Sequence, residues 1–252
     1  MREDLEVSAE EIVLKILSSA LDLTLFPRPF HHKQTAYLAL KVASAMGLPD
    51  NSQLELFFAS LIHDLGLFIG EEEDISELLN PSAPTPWRHC LVAYYRLKDF
   101  TLINQIAPNV PRIILYHHTK WREAQEPGEA TGLRAVREFF KEEIPLESFI
   151  LHLSGIVSNL TDPERPILLQ VKEIRERIKE LSGYFFPKDV VEAFMEVASK
   201  EATWLDLASP FIEEILSQMH PLPEYKLHKE EIISLSELFC SFVDFKSQYT
   251  AS

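Results

Sequence analysis

Glycine is scarce in this 252-residue chain, with seven in all against sixteen prolines. That argues against a loop-rich fold, and with a hydrophobic fraction of 46% it suits a helical globular protein. Cysteine is scarcer still. Cys90 and Cys240 lie far apart and form no CxxC, so neither a disulfide framework nor a thiolate zinc site is suggested. Basic residues are outnumbered 24 to 39, a formal net charge of −15. General nucleic-acid binding by phosphate neutralisation is therefore not expected. A small phosphorylated substrate stays open, because bound metal ions supply positive charge locally. No apolar run approaches about 18 residues, and the N-terminus is acidic rather than signal-like. The expectation is a cytoplasmic protein with no membrane segment. Strand signals are missing too, with no sustained alternation and no Asn-Gly hairpin, which leaves an all-α fold of one large or two small domains.

Helix signals are plentiful. Ser8 with Glu11, and Ser52 with Glu55, read as capping boxes. A helix from 31 to 46 stops at Gly47-Leu48-Pro49. Pro86, Pro111, Pro145, Pro166 and Pro187 each stand where a helix opens. Two further helices are expected near 210–219 and 230–247, and residues 122–132 read as a loop. The acidic run from Glu71 to Asp74 reads as a solvated loop or helix start.

The stretch 52–69, SQLELFFASLIHDLGLFI, reads as one helix whose apolar face includes Leu54, Phe57, Phe58, Leu61 and Leu65. His63 and Asp64 sit side by side within it. Burying such polar groups unpartnered costs on the order of 2–7 kcal/mol each. A divalent metal ion is an economical partner, because imidazole and carboxylate both bind one and a carboxylate can bridge two. Ala59 and Ser60, one turn earlier, are small enough to leave room. The alternative is a buried His-Asp hydrogen bond. His31, His89, His117 and His118 fall in other helical segments, so ligands come from four separate helices, the way bundle-core metal sites are built.

In this order, H…HD…H…HH, the chain resembles the HD superfamily of metal-dependent phosphohydrolases, and within it the HD-GYP branch. HHKQTAYLALKVASAMGLP and FFASLIHDLG are similar to that family's first-histidine and HDxG helices. RHCLVAYYRL, IILYHHTKW and LSGYFFPKDVVEAF resemble its later segments. Counting back from Gly47 favours His31 over His32 as first ligand. The resemblance covers roughly residues 20–198. It implies a helical bundle with one or two divalent transition metal ions (iron or manganese favoured, nickel or zinc compatible) held by His31, His63, Asp64, His89, His117 and His118. It also implies phosphodiesterase chemistry on a nucleotide such as cyclic di-GMP, with Asp64 and His63 at the catalytic centre and a metal-activated water as nucleophile. Lys120 and Arg122 either contact a substrate phosphate or serve as exposed helix-end cations.

The departures from that family pattern are specific. Leu67 replaces the lysine after HDxG, and Gln125-Glu126-Pro127 stands where the glycine-tyrosine-proline signature is expected. Gly155 and Ser158 replace two aspartates, and Pro27 stands where some members carry a glutamate. The position holding His89, His117 and His118 is complete; the one holding His31 and His63 lacks its closing carboxylate, for which His152 is a candidate substitute. A degenerate module with a regulatory, sensing or dimerising role is the alternative to an enzyme. Residues 1–200 read as the HD-like domain and 201–252 as a C-terminal helical extension. The stretch from Val243-Asp244 to Ser252 echoes Leu21-Asp22 and the lead-in to His31. A tandem protein interrupted just before a second HD-GYP domain is therefore expected, with a homodimer or contact to that domain as partner.

Overall fold

The computed structural model describes residue 8 and residues 12–25, 30–69, 87–126, 143–219 and 226–246. Among them there is no strand, only two isolated bridges, Ser8 with Lys226 and Ser182 with Phe186. The all-α expectation holds. A π-helical stretch, Ile12–Leu17, leads into α1, Ser18–Leu25. Then come α2, His31–Ala45, and α3, Asp50–Ile62, which tightens into a 3₁₀ helix, His63–Ile69. Next are α4, Trp87–Leu97; α5, Thr101–Ile106; α6, Val110–Leu115; and α7, Trp121–Gln125. The long α8, Leu146–Leu160, precedes a 3₁₀ turn, Ile167–Leu169, and α9, Val171–Glu180. The described chain closes with α10, Lys188–Val197; α11, Glu201–Leu207; α12, Ile212–Met219; and α13, Lys229–Lys246. The short helices α5 and α11 carry no start signal, and nothing in the sequence pattern predicts them.

At the centre lies α2, packed against α3 on one side and α8 on another, with α10 also against it. Its length is set at both ends. Phe30, just before it, takes a left-handed backbone (φ 72°), a conformation costing roughly 1–2 kcal/mol outside glycine. At the other end Gly47 takes φ 69° at no such cost, and the Leu48 N–H reaches back to Ala43 O at 3.0 Å in a Schellman closure. The core around these helices includes Tyr37, Phe57, Phe58, Phe194 and Trp204, all essentially inaccessible.

Four local expectations need correction. The Ser52–Glu55 capping box is not formed, because α3 starts earlier, after Pro49. Glu55 instead turns inward and its carboxylate accepts from the Asn109 backbone N–H (3.2 Å) and side-chain Nδ2 (2.9 Å), tying α3 to the start of α6. The stretch 52–69 is not one α-helix, since winding changes at His63. His117 and His118 lie in the turn after α6 rather than on the helix. Residues 121–125, expected largely as loop, form α7, whose first amides are fastened by backbone bonds from Trp121 N–H to Phe185 O and Arg122 N–H to Tyr184 O, both 2.9 Å. Glu11, the acidic run at 71–74, Pro86 and Pro127 lie outside the described residues.

Helix α13 packs against the 3₁₀ helix that carries His63 and Asp64. No helix of the described residues is long and apolar enough to cross a membrane.

Candidate metal centre

The 3₁₀ winding at residue 63 places His63 and Asp64 at the meeting point of α2, α4 and the turn after α6. That meeting needs Gly66. A Cβ there would stand 2.0 Å from the His89 carbonyl oxygen, so only glycine lets α4 lie this close to the 3₁₀ helix. The expected ligand residues converge, and five of them, His31, His63, Asp64, His89 and His117, are 4% exposed or less.

Four imidazoles are fixed the same way, each through Nδ1. His63 Nδ1–H donates to Ser60 O at 3.0 Å, and His117 Nδ1–H to Ile114 O at 2.6 Å. The Ser158 hydroxyl donates to Gln34 Oε1 at 2.9 Å, so its oxygen accepts from His31 Nδ1–H at 3.1 Å. His32 Nδ1 lies 2.6 Å from Asp22 Oδ1. In the neutral ring each therefore presents an unprotonated Nε2. Those nitrogens surround Asp64. Its Oδ2 is 3.0 Å from His63 Nε2 and 3.6 Å from both His31 Nε2 and His32 Nε2, while Oδ1 is 3.9 Å from His117 Nε2. Lone pairs facing a carboxylate repel unless a proton or a cation lies between them, and a shared divalent ion suits this donor set.

Two donor groups lie side by side, and Asp64 belongs to the first. His31, His63 and Asp64 offer atoms all within 4.8 Å of one another, as do His89, Cys90, His117 and His118. In the second group His89 Nε2 is 3.4 Å from His117 Nε2, and the buried His118 Nδ1 finds no hydrogen-bond partner among the described residues. Either group could hold a metal ion.

The HD domain family model matches residues 30–160. The chain belongs to the HD domain family. It is 28% identical over 234 residues to a 3'3'-cGAMP-specific phosphodiesterase of Vibrio cholerae, covering 87% of this chain and 49% of that protein. It is 27% identical over 199 residues to a cyclic di-GMP phosphodiesterase of Thermotoga maritima, covering 76% and 50%. The chain thus spans about half the length of the curated relatives it matches. A crystal structure of a cyclic GMP-AMP-specific phosphodiesterase of V. cholerae superposes with a TM-score of 0.70 at 19% identity, covering 97% of this chain and 62% of that one. That likeness shows a shared fold.

Charge in the HD centre follows from burial and crowding. Burial alone would push the Asp64 carboxyl up, but the facing His63 and His31 rings outweigh it and hold it well below the usual carboxylate range. Burial, reinforced by neighbouring imidazoles, holds His117 and His118 well below the ordinary histidine value. Burial likewise lowers His31 to about 4, partly opposed by Asp64. Asp64 is thus held toward its ionised form and His31, His117 and His118 toward their neutral form, the forms in which carboxylate and imidazole bind a divalent ion.

Other expected residues end elsewhere. His152 does not close the position that Gly155 leaves open. It packs against His118 (5.5 Å between ring centroids) and Phe186 (5.2 Å), on the side of the second group. Lys120 is not an exposed helix-end cation; it is buried before α7, with Nζ 3.7 Å from Glu123 Oε1 and over the Phe185 ring. Arg122 is exposed, its guanidinium over Tyr184. Two residues of the centre are not expected from the sequence. Cys90 lies 3.4 Å from His89 Nε2 and 3.6 Å from His117 Nδ1; its adjacency to His89 is the signal that points to it. His32 ranks behind His31 in the motif, although both face Asp64.

Proposed function

We propose that this chain is a metal-dependent phosphodiesterase acting on a cyclic dinucleotide such as cyclic di-GMP, with Asp64 shared between two metal positions. His31, His63 and Asp64 would hold one ion; Asp64, His89, His117 and His118 the other, with iron or manganese favoured over nickel or zinc. When bound, such ions would supply polarisation of a phosphoryl oxygen and a lowering of the pKa of a bound water towards about 7. The protein's own share is orientation. Carbonyls of Ser60 and Ile114 fix the tautomers of His63 and His117, and Ser158 does so for His31. Burial of the centre limits water and sharpens the field of Asp64. Lys120, and Arg122 at the rim, are candidates for contact with a substrate phosphate. The relatives named for cyclic dinucleotide hydrolysis support this substrate class. The observation that carries the reading is the set of Nδ1-pinned imidazoles aimed at one carboxylate.

The test is turnover by protein stripped with chelator and reloaded with manganese or iron. Hydrolysis of bis-para-nitrophenyl phosphate, cyclic di-GMP or 3'3'-cGAMP, lost in Asp64→Ala, supports the enzyme. Leu67 and Gly155, where the family pattern has lysine and aspartate, favour a second reading, a regulatory HD module that pairs with a second HD domain or a second copy of itself. Bound metal with no turnover of any phosphodiester or monoester would select that reading.

A further inference from the structure

Resting on the metal-centre reading, we propose that His32, backed by Asp22, closes the metal position that Gly155 leaves without a carboxylate. The position faces the site. A Cβ built on Gly155 would meet only His63 Nε2, at 4.0 Å, with nothing else that close. A side chain there would project beside the first donor group, where His63 is the only side chain of the described residues within 4 Å of that Cβ.

His32 approaches the same carboxylate from α2. It is fully buried, and its ring centroid lies 5.2 Å from His31 and 5.0 Å from His63. Its Nε2 stands as far from Asp64 Oδ2 as that of His31, 3.6 Å. The tight set of His31, His63 and Asp64 does not include it, so joining that set calls for a small inward movement of the ring. Behind it Asp22, 4% exposed, accepts from both the His32 backbone N–H (3.0 Å) and ring Nδ1 (2.6 Å) through one oxygen, Oδ1. A carboxylate behind an imidazole fixes its tautomer and raises the basicity of the other nitrogen, the usual support of a metal-binding histidine. It also conserves charge. An aspartate at 155 would add one negative charge at the ion; here that charge sits one ring further out, on Asp22. Phe30, immediately before the paired histidines, takes a left-handed backbone.

The experiment is metal titration of the full, chelator-stripped chain with Mn²⁺, read by calorimetry and by ion content after gel filtration, with thermal melts as a folding control. His32→Ala should bind at least tenfold more weakly and lose one ion per chain. Asp22→Asn, which keeps the ring and its volume, should weaken binding about 10- to 100-fold, and it carries the same expectation should His32→Ala fail to fold. Adding Gly155→Asp to His32→Ala should restore the lost ion, which repair of a merely structural histidine would not do. Folded His32→Ala or Asp22→Asn protein with wild-type affinity and stoichiometry would overturn the inference, as would failure of Gly155→Asp to rescue. A wild-type chain that binds no ion would instead bring down the metal-centre reading itself, and this inference with it.

Discussion

The two sides of Asp64 are built from the same chemistry and finished differently. On the side of His89, His117 and His118, four donors including Cys90 lie close together, and His152 backs His118. On the side of His31 and His63, only three donors form the tight group, and Gly155 leaves an opening. Crowded imidazoles give the first side several ways to hold a cation. The second depends on Asp64 and on whatever fills the gap. The contrast teaches that a lost ligand in one half need not disable the other, because the two donor groups draw on different imidazoles.

That comparison is broken most completely at Asp64. Asp64→Ala should weaken metal binding on both sides by more than about 100-fold, beyond the effect of losing a supporting partner, and elemental analysis after chelation and reloading should find neither ion. Gly66→Ala comes next. Its Cβ would meet the His89 carbonyl at 2.0 Å, so α4 must shift; a loss of ~3 kcal/mol in urea unfolding is expected, with the His89 side losing its ion before the His31 side. Acid should act on both sides together. His31, His117, His118 and His152 are held low in the fold, His31 to about 4 and His152 to about 3, chiefly by burial. Unfolded, each titrates near 6.5. Between about pH 6.5 and 4 the unfolded chain therefore binds more protons, so stability of the metal-free protein falls as pH falls and levels off above about 7. Denaturant midpoints at pH 5 and 7.5 check the sign. Asp64, held below its ordinary value, adds acid lability of its own only below about pH 4. The smallest effect is expected at Cys90. Three imidazoles remain without it, so Cys90→Ser should change Mn²⁺ affinity on its side by less than about threefold, thiols being poorly matched to manganese; a larger change would make the thiol a ligand.

Much of this was legible in the residues. Pro145 and Pro187 stand one position before α8 and α10, and Gly47 ends α2, because proline and glycine act on the backbone locally. The convergence of His31, His63, Asp64, His89, His117 and His118 could be anticipated from their order along the chain and the resemblance it carries. What escaped was set by contacts between distant segments. Glu55 had a capping partner three residues away in sequence, yet the Asn109 amides compete for it and win. The switch to 3₁₀ winding at His63 and the fit of Gly66 under α4 are features that no periodicity within the helix reveals. His152 shares a helix with Gly155, but three residues along α8 are enough to carry it from one donor group to the other. His32 looked redundant beside His31, because only the fold brings Asp22 behind it.

Because a bare backbone at Gly66 sets how near α4 can come, the spacing between the two halves of the centre is a property of main chain against main chain. Ions of different radius must then be accommodated by ring rotation and side-chain tilt, and selectivity between metals becomes a question of how stiffly each imidazole is tethered from behind.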